Sequence, residues 1–225
     1  MRTQIVQKLK TRTSYPMYIH PLNAWESQPE VLDFIRKNAF ATLYAQAEGR
    51  PWATHLPVFL EGKHEGKFVL HGHLAKANPQ WKHLAQSEEV LVVFQGPHAY
   101  ISSSWYTHEN VPTWNYLAVH VYGKVRLIEG EELMHHLKSL VDQYETGRPN
   151  RVQVETMSSG YLEGQIRALV GFELEITEVH ASAKLSQNRD DENYERILQQ
   201  LEASSLPGDK EVAAEMRKRR QTSDR

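Results

Sequence analysis

The sequence reads as a mainly β protein, an antiparallel barrel with helices at its periphery. Three observations support this. Short apolar or alternating runs follow one another through tight, glycine-containing turns. Helical spacing is confined to a few segments. Strands and helices do not alternate regularly, and neither the Rossmann glycine pattern nor GxxxxGK[ST] is present.

The elements follow in order. "SQPEVLDFIRKN" predicts the first helix, with Ser27 and Glu30 at capping-box spacing, Pro29 in the first turn, and Val31, Leu32 and Ile35 on one face. "AFATLYAQ", "EGR" and "PWATHLPVFL" predict strand, turn and strand. After the turn "EGKHEGK" comes the strand "FVLHGHL". Asn78 is expected to cap a short helix in "NPQWKHLAQ". "EVLVVFQ" reads as a buried strand. In "NYLAVHVYGKVRLI", Leu117, Val119 and Val121 share one face, and Tyr116, Ala118, His120 and Tyr122 the other. "EELMHHLKSLVDQYE" has helical spacing through Leu133, Leu137, Leu140 and Val141. "ALVGFELEITEV" is a later strand and "DENYERILQQLEAS" an amphipathic helix. "LPGDK" is expected to open a charged tail.

The chain has 225 residues, with 40% hydrophobic and 24% charged, the profile of a globular protein. It has no cysteine, which excludes disulfides and thiolate metal sites. No run approaches the length of a membrane-spanning helix, and the N-terminus lacks a signal-peptide core. A soluble, cytoplasmic protein with no membrane partner is expected. The net charge is −2, but Arg2, Lys8, Lys10 and Arg12 stand without an acid in residues 1–20. Basic ends around an acidic body fit either a polyanion partner or solvated tails. Residues 1–16 are expected to be a basic leader, 17–190 the main domain, and 191–225 a helix with a charged tail.

Several positions have the chemistry of a binding site. Thr54 and His55 are polar residues at the end of an apolar strand. "HGHLAKANP" runs from strand to helix, where Lys76, Asn78 and a positive helix end suit a phosphate. On local pattern alone, a plain exposed lysine and a plain cap are the leading reading. His71 and His73 share one strand face, compatible with a metal or with packing. No acidic partner stands at a convincing spacing, so no metal is assigned. Ser102, Ser103 and Ser104 lack the GxSxG context of a hydrolase. In "GPHAYISSSWYTHENVPTWNY", Trp105, Tyr106, Trp114 and Tyr116 are either core rings or a wall for a flat ligand.

"MYIHP", "GHLAKANPQW", "FQGPHAYISSSWY", "VPTWNY" followed by "VHVYG", and "KLSQNR" occur in this order over about residues 17–190. In these motifs the chain resembles the PaiB family of FMN-binding negative transcriptional regulators. The resemblance implies an FMN-binding split barrel and a homodimer. It places the flavin phosphate at Thr54, His55, Lys76 and Asn78, with His73 added, and the flavin ring against Trp105, Tyr106 and Trp114. It adds Lys184, Gln187, Asn188 and Arg189 to the cofactor-binding set, as donors near an anion or the dimer partner. Ser103 stands where the family usually has proline, which loosens that loop.

Two functions follow from the resemblance. One is a repressor whose flavin reports redox or metabolic state, with direct or indirect action on DNA. No helix-turn-helix is evident in the sequence. The alternative is a flavin-dependent oxidoreductase using NAD(P)H, in which Tyr106, His120 or His55 donates a proton.

Overall fold

The computed structural model describes residues 17–223; the expected leader, 1–16, lies outside them. Seven strands form one sheet: β1 (Phe40–Ala47), β2 (Arg50–Pro57), β3 (Phe59–Gly62), β4 (Phe68–Ala75), β5 (Val90–Ile101), β6 (Thr113–Ile128) and β7 (Leu169–Lys184). Their order is β2-β1-β5-β6-β7-β4-β3. The ladders of β1 with β2 and β5, and of β4 with β3 and β7, are antiparallel. The α-helices are α1 (Gln28–Lys37), α2 (Trp81–Leu84), α3 (Gly130–Glu145), α4 (Ser159–Arg167), α5 (Asp191–Ala203) and α6 (Pro207–Ser223). None is long and apolar enough to cross a membrane.

Local chemistry explains the element ends. Glu48 and Gly49 both have positive φ, 52° and 75°, giving the two-residue turn that matches strand twist. The expected long strand 51–60 is broken. Pro57 has no N–H to extend the ladder, the Val58 N–H donates to the Ala39 carbonyl at 2.9 Å, and β3 pairs with β4. β5 continues past the expected strand as far as Ile101. α4 was not expected from the sequence; it spans only nine residues and buries none, and Leu162 and Ile166 are its one apolar pair at helical spacing.

The described residues fall into two compact units, one of 35–94 and 120–179, the other of 17–34, 95–119 and 180–223. In the first, Leu43, Leu70, Val92, Phe172 and Leu174 are fully buried. Gly72 is required there: a Cβ would lie 2.4 Å from the Phe172 ring. In the second, Leu117, Ile197, Leu198, Leu201, Val212 and Met216 form the core. The expected charged tail is the helix α6. Val212, Ala213 and Met216 recur on one face and are buried, and the Tyr194 hydroxyl donates to the Met216 carbonyl at 2.8 Å.

Candidate functional site

In the first unit a hydrogen-bonded corner joins β2 to the turn between β4 and α2. The Lys76 N–H donates to the Ala168 carbonyl (2.7 Å) and the Asn78 N–H to the Ala75 carbonyl (2.8 Å), which fixes the turn. Asn78 is not the helix cap, because α2 begins at Trp81 after Gln80. Its side-chain oxygen instead accepts the Gln80 N–H at 3.1 Å, closing an Asx turn. Its Nδ2 donates to Thr54 Oγ1 at 2.9 Å, and that hydroxyl donates to Gln80 Oε1 at 2.5 Å. Gln80 Nε2 donates to the Trp52 carbonyl at 3.0 Å, and Gln80 is 0% exposed.

This corner divides the expected phosphate ligands. Thr54 has committed its only proton to Gln80, so it orients Asn78 and donates nothing outward. Asn78 retains a second amide proton. Lys76 is exposed, and its ammonium has no ionic partner among the described residues. His55 alternates to the opposite face of β2, where its ring stacks on Phe40 at 6.4 Å. Lys76 and Asn78 thus supply cation and directed donor on a rigid turn, a donor set that fits a phosphate.

His73 is committed elsewhere. His71 and His73 share one face of β4, as the strand period requires. They meet His136 of α3: His73 Nδ1 lies 3.0 Å from His136 Nε2, and the His71 and His136 rings stack at 6.0 Å. His71 Nε2 donates to Glu61 Oε2 at 2.8 Å. Burial pushes the His71 imidazole pKa down although Glu173 and Glu61 pull it up, and burial lowers His73 as well. The His136 pKa falls to about 3, first from burial and then from His73 and His71. The neutral Nε2–H form of His71 leaves its buried Nδ1 as an unpartnered acceptor, and His136 Nδ1 is also unpartnered. Among the described residues no group of three or more such side chains is arranged to hold a metal.

The aromatic stretch lies in the second unit, split between β5, a 3-10 turn at Ser103–Trp105, and β6. Ser103 is the first residue of that turn, a position that tolerates proline. Tyr106 is buried; Arg189 stacks over its ring at 4.9 Å and His108 packs at 5.9 Å. The Trp105 carbonyl accepts Arg196 Nε at 2.8 Å. Trp114 is 52% exposed and packs edge-on against Tyr100 at 5.9 Å. The three expected wall residues therefore do not share one environment.

"KLSQNR" edges a cleft of 390 Å³ in the same unit. Lys184 Nζ donates to Thr113 Oγ1 at 2.6 Å. Gln187 spends its amide on the chain: Nε2 donates to the Leu22 and Ala183 carbonyls, both at 2.7 Å, and Oε1 accepts the Leu185 N–H at 2.6 Å. Asn188 and Arg189 also line the cleft, whose lining includes none of Thr54, His55, His73, Lys76 or Asn78. Sequence reasoning missed Gln80 and His136. Gln80 directly follows Asn78 and Pro79, and His136 falls between Leu133 and Leu140 on the buried helical stripe.

Comparison with known proteins identifies the chain's relatives. The family described as "Putative FMN-binding domain" matches residues 17–178. "Protease synthase and sporulation protein PAI 2" of Bacillus subtilis is 42% identical over 198 residues, covering 88% of this chain and 93% of that protein. Among solved structures, flavocytochrome Anf3 from Azotobacter vinelandii superposes with a TM-score of 0.58 at 20% identity, over 77% of this chain and 75% of that one. An FAD- and heme-binding protein from Mycobacterium smegmatis gives 0.59 at 16% identity, over 76% and 78%. The fold is the expected split barrel of antiparallel strands.

Proposed function

We propose, from the premise that the chain belongs to the PaiB family of FMN-binding proteins, that it is a flavin-responsive negative regulator of transcription acting as a homodimer. Its cofactor is FMN. The observation that carries the site assignment is the Thr54–Asn78–Gln80 network, which fixes a turn carrying Lys76. Lys76 and Asn78 hold the phosphate, Thr54 and Gln80 hold Asn78, and the bound FMN supplies redox chemistry. Exposed rings support self-association: Phe40 is 70% exposed in one unit and Trp114 52% in the other.

For regulation, the flavin must favour one protein conformation over another, because equal affinity for both shifts nothing. The test joins three measurements. The purified chain should show the visible absorption of bound flavin and the mass of a dimer. Deleting its gene in the host should raise a defined set of transcripts, and re-expression should lower them again. Re-expressed Lys76→Gln should fail to do so. Transcripts indifferent to the deletion refute the regulatory reading. Bleaching of the flavin by NADH or NADPH, with turnover on an acceptor, favours the oxidoreductase instead. Direct action on DNA requires binding that weakens steeply with salt.

A further inference from the structure

The cleft beside "KLSQNR" has the make-up of a second ligand site. Lys184 and Arg189 contribute two cations, and among the described residues no carboxylate side chain lines the cleft, although the chain has 28 acidic against 26 basic residues. Neither cation has a carboxylate partner among the described residues. Both are held in place: Lys184 by Thr113 at 2.6 Å, Arg189 by stacking on the buried Tyr106 ring at 4.9 Å. A planar guanidinium fixed in this way offers paired N–H donors to an oxyanion.

The floor is built with equal care. Ser186 adopts a left-handed backbone, φ 60°, which a non-glycine residue seldom holds without support. The support is buried: Ser186 Oγ donates to Asn115 Oδ1 at 3.1 Å, and both residues are 5% exposed or less. Gln187 ties the strand end to the segment carrying Tyr18 and His20, which also line the cleft. Tyr18, Tyr116, Val111 and Pro112 add flat and apolar surface. The cleft volume of 390 Å³ lies in the usual range for small-molecule sites.

We propose that this cleft binds a small organic anion, its carboxylate or phosphate against Lys184, Asn188 and Arg189 and its flat body against Tyr18 and Tyr116. The site shares no residue with the proposed flavin corner, and under this proposal it takes an effector or substrate rather than the cofactor.

The test uses the full chain as purified, with flavin content measured in parallel. Benzoate and phenyl phosphate are titrated by saturation-transfer NMR. At least one should bind saturably and lose affinity as salt rises. Arg189→Gln and, separately, Lys184→Gln should each weaken that binding about tenfold, the loss of one charge-assisted contact. Their flavin content should stay at the wild-type level, and Lys76→Gln should keep probe binding while its flavin content falls. Three outcomes overturn the proposal. These are no saturable binding of either probe, unchanged binding in both cleft variants, and loss of flavin in step with the probe, which would make the cleft part of the FMN site. A melting temperature for each variant separates a lost contact from a lost fold, and failure of Lys76→Gln alone indicts only the flavin assignment.

Discussion

Acidification from about pH 8 to about pH 5 should destabilise the unit holding the histidine cluster, with His136 making the largest single contribution. Its ring is 1% exposed, and its pKa is lowered from 6.5 to about 3. Between those values the unfolded chain binds a proton that the folded one refuses, so stability rises with pH across this window. Stability is intact above the unfolded value, declines below it, and reaches its full loss near the folded value. At about pH 5, some 1.5 units below the unfolded pKa, the loss is about 2 kcal/mol. The groups facing His136 are His73 and His71 on β4 and His135 on its own helix. Glu61 and Glu173 stand behind His71 and favour its charged form. Urea unfolding, followed by tryptophan fluorescence at several pH values, should be compared in the wild type and His136→Leu. Leucine has similar bulk and no proton site, so the variant should lack about 2 kcal/mol of the wild-type acid loss. The comparison is between pH slopes, because His73 loses its hydrogen-bond partner in the variant at every pH. Equal slopes would refute the assignment of the proton to His136.

Three further outcomes are expected. Lys76→Gln should weaken FMN about tenfold, ~1.4 kcal/mol by flavin fluorescence titration, with urea stability changed by under about 0.5 kcal/mol. Gln80→Leu should cost about 1–3 kcal/mol in urea unfolding by stranding the Thr54 hydroxyl and the Trp52 carbonyl that its side chain satisfies, and FMN affinity should fall with it. Trp114→Ala should cost under about 1 kcal/mol of monomer stability, because the ring is half exposed, while sedimentation shows weaker self-association. A loss of the 3–5 kcal/mol typical of a core tryptophan would contradict that exposure.

What the sequence made legible followed from local periodicity. Phe172 and Leu174 could be read as inward-facing because a strand repeats every two residues, and both are fully buried. The same rule already separates Thr54 from His55, yet grouping them by polarity hid it. What stayed hidden depended on long-range partners. His73 acquires its meaning from His136, 63 residues away, and Thr54 from Gln80, 26 residues away. Neither pairing leaves a local signal. α6 was obscured for a different reason. Its charges outnumber its three buried apolar residues, so composition suggested a tail while packing made a helix.

The aromatic stretch 96–116 joins these levels, because its rings serve opposite sides of one segment. Tyr106 points inward and its face holds the Arg189 guanidinium, so its role in the proposed anion cleft is to place a charge. Trp114, Tyr100 and His98 instead form an outward cluster, with ring centroids about 6 Å apart. The edge-on packing of Tyr100 and the tilted packing of His98 hold Trp114 in place, which under the homodimer reading lowers the entropy lost on association. The turn between the two sets contains Ser102–Ser104, whose hydroxyls and backbone close a 3-10 turn that no uninterrupted strand could make. Under the two proposals, one segment serves ligand placement and self-association through different residues. Under the homodimer reading, Trp114→Ala should loosen the dimer without changing benzoate affinity, and Arg189→Gln should do the reverse. If either variant moved both readouts together, the two faces would be energetically coupled, and occupancy of the cleft would itself control assembly.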